Sequence, residues 1–260
     1  MRTIAIANQK GGCGKTTTAV NMAAALALSG SRVLIVDLDP QGHTTLGLGY
    51  DPGKLEKTVY NALIDRTLSL TEVMLDSRLP NLKVVPSNIM LGMVELDLRT
   101  DVGKEHVLNE ELLVIQDQFD YCIIDCAPPL SLLMINALVA SNDVIITVQT
   151  HYYALEGLKR LLETIHIIHK RFHPCEVRAL GILLTFVEDR TVLCQQVQQQ
   201  LRDHFGSLVF DTVIHRNIRL AEAPSAGESI LTYAPASKGA KEYQALAQEV
   251  EQRIAVVGVA

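Results

Sequence analysis

Short apolar runs and amphipathic stretches alternate along this chain from end to end. Residues 3–9 (TIAIANQ) are apolar and β-rich, and a glycine-rich bend follows them. KTTTAVNMAAALALSG reads as a helix that stops at Gly30, because glycine ends helices readily. SRVLIVDLD is a continuous apolar run closing on acids, the pattern of a strand buried on both faces. Further strands are predicted at LKVVPS (82–87), YCIIDCAPP, NDVIITVQT, VRALGILLTF and LVFDTVI. Helices are predicted around Leu130 to Ala140, over 154–172, and over KGAKEYQALAQEVEQRIA. Leu193, Val197, Leu201 and Phe205 recur every four residues, a buried helical stripe ended by Gly206. The glutamines between them form the wet face of that helix. Strands alternating with helices predict an α/β fold: a doubly wound, mostly parallel sheet with helices on both faces. Residues 50–80 are the least patterned and read as an irregular excursion. No linker rich in Gly, Ser or Pro interrupts the pattern, so residues 1–260 read as a single domain, with no helix-turn-helix unit ahead of the first strand.

Composition agrees with one large core, since 48% of the 260 residues are hydrophobic and only 20% charged. No secretory signal is evident, and no apolar run approaches the roughly 20 residues that span a bilayer. A soluble, cytoplasmic protein is the expectation. The five cysteines (Cys13, Cys122, Cys126, Cys175, Cys194) are odd in number and scattered, which suits buried thiols rather than a disulfide framework. The net charge of −6 argues against wholesale wrapping of nucleic acid but leaves room for a local basic patch. His166, His169 and His173 share a helix face, yet no acid or cysteine nearby completes a metal site. Tyr152 and Tyr153 fit packing at a strand-to-helix turn better than stacking on a base.

The chemistry concentrates in Asn8-Gln9-Lys10-Gly11-Gly12-Cys13-Gly14-Lys15-Thr16-Thr17. This segment follows an apolar strand and opens a helix, the context in which a glycine-rich loop cradles phosphates. Glycines let successive N–H groups turn inward, and the helix adds its positive dipole end. Lys15 can reach the β- and γ-phosphates of a nucleotide, and the Thr16 hydroxyl can ligate Mg2+. Gln9 stands at the first position of the plain G-x-x-x-x-G-K-[ST] pattern, and Lys10 follows it. A strand ending in an acid should lie beside such a loop, to hold magnesium or the attacking water. Asp125, ending CIID, and the pair Asp37 and Asp39, ending VLIVDLDPQG, are the candidates.

NQKGGCGKTTTAVNMA, VDLDPQG, DCAPPLS, QTHYYALEG and RNIRLAEAPSAG occur in that order. Together they resemble the ParA/Soj chromosome- and plasmid-partitioning ATPases of the deviant Walker A group, which also includes MinD. The resemblance runs from about residue 2 to about residue 250. It implies an ATP- and Mg2+-dependent switch with a phosphate loop formed by Lys10, Gly11, Gly12, Cys13, Gly14, Lys15, Thr16 and Thr17. It also implies that Lys10 reaches across a homodimer to the partner's nucleotide and that Asp39 positions the attacking water. Asp125 would be the Walker B acid, with Thr16 and Asp39 completing the metal surroundings, and Asp125 to Pro129 would form a switch segment. Arg216 and Asn217 would approach the nucleotide base; the family usually has Pro-Arg-Asn there, whereas this chain has His215-Arg216-Asn217.

The same resemblance assigns Arg190 and Arg219 to sequence-independent DNA binding. It implies a nucleoid-associated protein whose ATP-bound dimer grips DNA and whose slow hydrolysis is stimulated by a ParB-type partner. Two copies double the cations on one face, which lets an acidic protein bind DNA only as a dimer. The competing expectations are a MinD-like membrane-positioning ATPase, a ParA-like ATPase for another cargo, an iron-cluster protein using Cys126, and an ATP-binding scaffold without turnover. VEQRIAVVGVA carries one arginine, too few for a basic membrane helix, so no stable membrane association is expected.

Overall fold

The computed structural model describes residues 1–151 and 154–257. Strands β1 (Arg2–Ala7), β2 (Val33–Leu38), β3 (Leu75–Asp76), β4 (Leu82–Val85), β5 (Tyr121–Cys126), β6 (Asp143–Gln149), β7 (Arg178–Val187) and β8 (Val209–His215) form one sheet. Their order is β3-β4-β2-β5-β1-β6-β7-β8. All neighbours pair in parallel except β3, which runs antiparallel to β4. The helices are α1 (Lys15–Leu28), α2 (His43–Gly47), α3 (Val59–Ile64), α4 (Val94–Asp97), α5 (Val107–Val114), α6 (Leu132–Val139), α7 (Ala154–Arg171), α8 (Val192–Phe205), α9 (Ile218–Glu222), α10 (Ile230–Tyr233) and α11 (Lys238–Val257).

Alternation within the strands builds two cores. Ile4 and Ile6 of β1 face one apolar layer with α1, α10 and α11, while Ala5 and Ala7 face the other with α3 to α8. Both faces are covered, so the strands carry no polar stripe. The exposed edge of β8 is managed by a side chain: Glu249 of α11 accepts the backbone N–H groups of Asp211 and Thr212, each at 2.9 Å. At the other edge β3 is only two residues long.

The predicted strands and long helices are all present. Residues 50–80 are more ordered than their pattern implied: they hold α3 and the antiparallel β3. Helices α4 and α5 were not predicted: α4 is a single turn of four residues, and the eight residues of α5 fall short of the window over which helical periodicity is read. All five cysteines are free and buried, as expected. Cys122 and Cys126 lie in the core, where burial pushes both thiols well up, so Cys126 offers no surface ligand for a cluster. His166, His169 and His173 are exposed, and no group of three metal-binding side chains forms among the described residues. Tyr152 and Tyr153 lie outside the described residues. No helix among the described residues is long and apolar enough to cross a membrane.

The sheet order reverses at β1. From β1 the chain moves outward to β2 and β4, then returns through β5 and crosses to β6, β7 and β8. Crevices at such switch points open at the carboxyl ends of the strands, and there the phosphate loop leaves β1.

Candidate active site

Neighbouring strands hold the loop after β1 in shape. Asn8 Nδ2 donates to the Thr147 carbonyl near the end of β6 (2.6 Å), and Asn8 Oδ1 accepts the Lys10 N–H (2.9 Å). The Thr185 hydroxyl of β7 donates to the Cys13 carbonyl (2.9 Å). The buried Cys13 thiol donates to the Lys10 carbonyl at 3.1 Å. Gly14 turns the chain into α1 with φ of +85°, a conformation that costs a residue with Cβ about 1–2 kcal/mol. The first intrahelical bond runs from the Thr18 N–H to the Gly14 carbonyl (2.9 Å), so the amides of Lys15 to Thr17 have no helical acceptor. They point a positive dipole end out of the loop. Lys15 is only 6% exposed, and its ammonium donates across the loop to the Lys10 carbonyl at 3.1 Å.

Two acids lie beside this loop in register: Asp37 of β2 pairs with Asp125 of β5. Both are buried. Asp37 Oδ2 accepts the Thr45 N–H (2.8 Å) and hydroxyl (2.7 Å), and Asp37 Oδ1 accepts the Asp39 N–H (3.2 Å). Asp125 Oδ2 accepts the Thr44 hydroxyl at 2.8 Å, while Asp125 Oδ1 is buried with no hydrogen-bond partner among the described residues. Burial raises Asp37, helped by the charge of Asp125, to about 7. Burial also raises Asp125, to about 6; the Thr44 and Thr16 hydroxyls pull it down, and Asp39 pushes it up. Asp39 is different in kind, being half-buried, with Oδ1 accepting the Gln41 N–H at 2.9 Å. Its carbonyl accepts the Ser87 hydroxyl (2.8 Å), and the Thr45 hydroxyl accepts the Ser87 N–H (2.9 Å), which ties the acid turn to the end of β4.

Two clefts meet at the loop. The first, about 700 Å3, is lined by Gly11, Gly12, Gly14, Lys15, Thr16 and Thr17, with Asp39 opposite and Ala127 to Pro129 along one side. The second, about 390 Å3, is lined by Arg216 and Asn217 together with Phe186, Ile214, Leu220 and Tyr243. Gly14, Thr17 and Phe186 belong to both. Two clefts that share a wall, one bearing the loop, Lys15 and Asp39 and the other Arg216 and Asn217 among apolar side chains, fit the two ends of a nucleotide.

The structure thus brings most of the predicted site together. Cys13 sits behind the loop and offers its backbone. Lys10 is exposed and is not among the residues lining the first cleft. Asn217 Oδ1 accepts the Arg219 N–H (2.9 Å), capping α9. Arg190 is exposed in the loop before α8, and Arg219 is exposed but paired with Glu222 at 2.8 Å. The loops bearing them are joined, because His215 bonds Asp189 at 2.8 Å and Arg216 bonds Glu188 at 2.9 Å.

Sequence reasoning missed four contributors. Thr44 and Thr45 satisfy the buried acids, and the signal was available in two hydroxyls directly after the acid turn. Ser87 had no signal, because only folding carries the end of β4 to Asp39. Phe186 holds φ of +53°, unusual for an aromatic residue, and stands between the two clefts. Such a backbone costs on the order of 1–3 kcal/mol and collects at functional sites.

Residues 1–176 match the family model described as an AAA domain. Over 247 residues the chain is 46% identical to the sporulation initiation inhibitor protein Soj of Bacillus subtilis, covering 95% of this chain and 97% of that protein. It is also 46% identical to the chromosome-partitioning ATPase Soj of Thermus thermophilus, covering 98% of this chain and 97% of the relative. Among solved structures it is similar to cobyrinic acid a,c-diamide synthase from Mycobacterium smegmatis with a bound ATP analogue and magnesium. That match has a TM-score of 0.83 at 34% identity and covers 95% of this chain and 93% of the other.

Proposed function

The chain belongs to the ParA/Soj family of P-loop ATPases, and on that premise we propose that it is a partitioning switch whose ATP-bound dimer holds DNA. The ATPase hydrolyses ATP to ADP and phosphate with Mg2+. The loop amides and the amino end of α1 hold the triphosphate, and Lys15 neutralises its β- and γ-oxygens. Thr16 and Asp125 would hold magnesium, with Asp39 nearby. The unpartnered, buried Asp125 Oδ1 and the adjacent Thr16 hydroxyl suit a hard cation that takes most of its oxygens from nucleotide and water. Magnesium, when bound, spreads the charge that builds on the phosphoryl oxygens. Asp39, on the far wall of the cleft, accepts a hydrogen from the attacking water and aims it in line. The base enters the second cleft against Phe186, Arg216 and Asn217.

The observation that carries the dimer is the position of Lys10. The phosphate cleft contains one buried lysine, and its second loop lysine lies outside it, free to serve another copy. Catalysis then needs two copies, and a timer of this kind turns over slowly by itself. Arg190 and Arg219 of both copies contact DNA phosphates, and a ParB-type partner accelerates hydrolysis and resets the switch. The protein would then be cytoplasmic and nucleoid-associated. The test measures binding to random-sequence DNA with ATP, with ADP, and for Lys10→Ala with ATP. Tight binding only for the unmodified chain with ATP supports the switch; equal binding in all three removes it.

A further inference from the structure

One short segment at the end of β7 touches both the phosphate loop and the loop that carries Arg190, and Phe186 is its pivot. Among the described residues, only Phe186 and Asn81 hold a positive φ without being glycine. Asparagine tolerates that backbone through its short polar side chain, whereas a large aromatic residue is strained by it. Strain of this kind persists only where the surroundings over-determine the conformation.

The surroundings are parts of the site. Just before the pivot, the Thr185 hydroxyl donates to the Cys13 carbonyl at 2.9 Å. The ring itself lies against the phosphate loop: a Cβ on Gly14 would meet Phe186 Cε2 at 3.5 Å. Just after the pivot, the Val187 carbonyl accepts the N–H of Arg216 at 3.2 Å, and Glu188 binds the Arg216 guanidinium at 2.9 Å. The Glu188 N–H reaches Cys194 Sγ in the first turn of α8 at 3.4 Å, and the Glu188 carbonyl accepts the Thr191 N–H at 3.1 Å. Residues 185–191 thus meet in turn the phosphate loop, the wall of the base cleft and the base of the Arg190 loop. The ring is not packed into a core. It is 40% exposed and borders three clefts, the third being about 520 Å3 and lined also by Thr150, Glu188, Cys194 and Arg216.

We propose that Phe186 is a positioning residue: a nucleotide base lying against its ring fixes the strained turn, and the fixed turn holds the Arg190 loop in place. The proposal rests on the nucleotide reading of the base cleft, and its DNA consequence rests on the partitioning reading. The physical basis is confinement. Bordered by clefts, the ring has room to move, and a base stacked on it supplies a wall of matching shape. Motion of the ring carries the residues bonded to Arg216 and Cys194, so confining the ring confines the loop. A loop ordered in advance has less freedom to lose when it meets DNA. The signal comes from the base, so ADP and ATP act alike on the loop. The γ-phosphate keeps the separate task of pairing two copies, and the grip on DNA needs both.

Hydrogen exchange of the full chain, with the amides of Glu188 and Thr191 as reporters, tests this without DNA. Saturating Mg-ADP should slow the reporters by about fivefold or more, and Mg-tripolyphosphate, which has no base, by less than about twofold. Phe186→Gly keeps the positive-φ backbone and removes the ring. At ADP concentrations that saturate it by calorimetry, its reporters should slow by less than about twofold. Phe186→Tyr keeps the ring and should respond as the unmodified chain does. Equal slowing by ADP and tripolyphosphate, equal slowing by ADP in the unmodified chain and Phe186→Gly, or ADP that binds without slowing the reporters overturns the proposal. The first and last of these need no variant. On a random-sequence duplex with saturating ATP, Phe186→Gly should bind about three- to tenfold more weakly than Phe186→Tyr, and equal affinities overturn the DNA consequence. Equal DNA binding by the unmodified chain with ATP and with ADP would instead remove the partitioning reading, and the exchange rates would still decide the role of the ring.

Discussion

The two ends of the nucleotide site are built from opposite materials. At the phosphate end, Asp37, Asp125, Lys15, Thr44 and Thr45 are buried; the hydroxyls of Thr44 and Thr45 and the Thr45 amide hold the two acids, and the Ser87 amide holds Thr45. At and beside the base end, Arg190, Arg216 and Arg219 lie on the surface, and the last two are paired with the exposed Glu188 and the half-buried Glu222. A buried polar group without its partner costs a large part of a domain's stability, whereas an exposed ion pair contributes about 0–1 kcal/mol. The phosphate end is therefore committed chemistry that tolerates little change. On the proposed reading, the cationic end is a tunable surface whose effect would come from the number of its contacts to DNA. Between them, Gly49 and Gly227 pack backbone on backbone: a Cβ on Gly227 would sit 2.7 Å from the Gly49 Cα, and Gly227 has φ of +67°. This contact links the segment after α2, whose threonines hold the acids, to the turn just after Arg219 and Glu222.

The largest effect should come from removing the buried cation. Lys15→Ala is expected to weaken Mg-ATP binding by about a hundredfold or more, measured by calorimetry, because no other ammonium faces the triphosphate in its own cleft. Unchanged affinity would place the phosphates elsewhere.

Next comes Thr44→Val, which keeps the shape but removes the hydroxyl donated to Asp125. It should lower stability by about 1–3 kcal/mol in denaturant melts. Arg219→Ala, in the same assay, should change stability by about 0.5 kcal/mol or less. Equal losses in the two would erase the contrast between the ends.

The acid pair also predicts the effect of pH on the nucleotide-free protein. Both carboxyls are raised in the fold, from an ordinary 3.8 to about 7 and about 6, so the folded state binds more protons than the unfolded state between those limits. Stability contributed by this pair is therefore greatest near the acid end of the window and falls as pH rises toward neutrality. The melting temperature should drop from about pH 5 to about pH 8, and Asp37→Asn should flatten that drop. A melting temperature that rises over this window in the unmodified chain, through the pair, would contradict the assigned burial.

The smallest effect belongs to single cations at the rim. Arg190→Ala should reduce DNA affinity by a few-fold and lower the slope of log affinity against log salt by roughly one per contact removed. An unchanged salt slope would take Arg190 off the DNA surface.

The phosphate loop was legible because its chemistry is local. Gly14, Lys15 and Thr16 are neighbours in the chain, and a strand before them and a helix after them are enough to give each its task. The acids at the ends of apolar strands were legible for the same reason. Asp37 and Asp39 could not be told apart by position alone, since both end one strand. The fold separates them by burying Asp37 under Thr45 and leaving Asp39 half-open on the cleft wall. Residues 50–80 misled because short elements held mainly by tertiary contacts show no period of their own.

The amino-acid sequence by itself determined the alternation of strands and helices, the loop that holds phosphates and the kind of cation it needs. Those properties depend on spacing over a few residues, which a linear pattern preserves. Only the tertiary structure decided which hydroxyls satisfy the buried acids, that Phe186 divides the two clefts, and that His215 joins Asp189 to Glu242. Those contacts join residues 26 and 27 apart in the case of His215, and 81 apart for Thr44 and Asp125. Their energy arises from excluding water around partners that the chain brings together only once the sheet has closed.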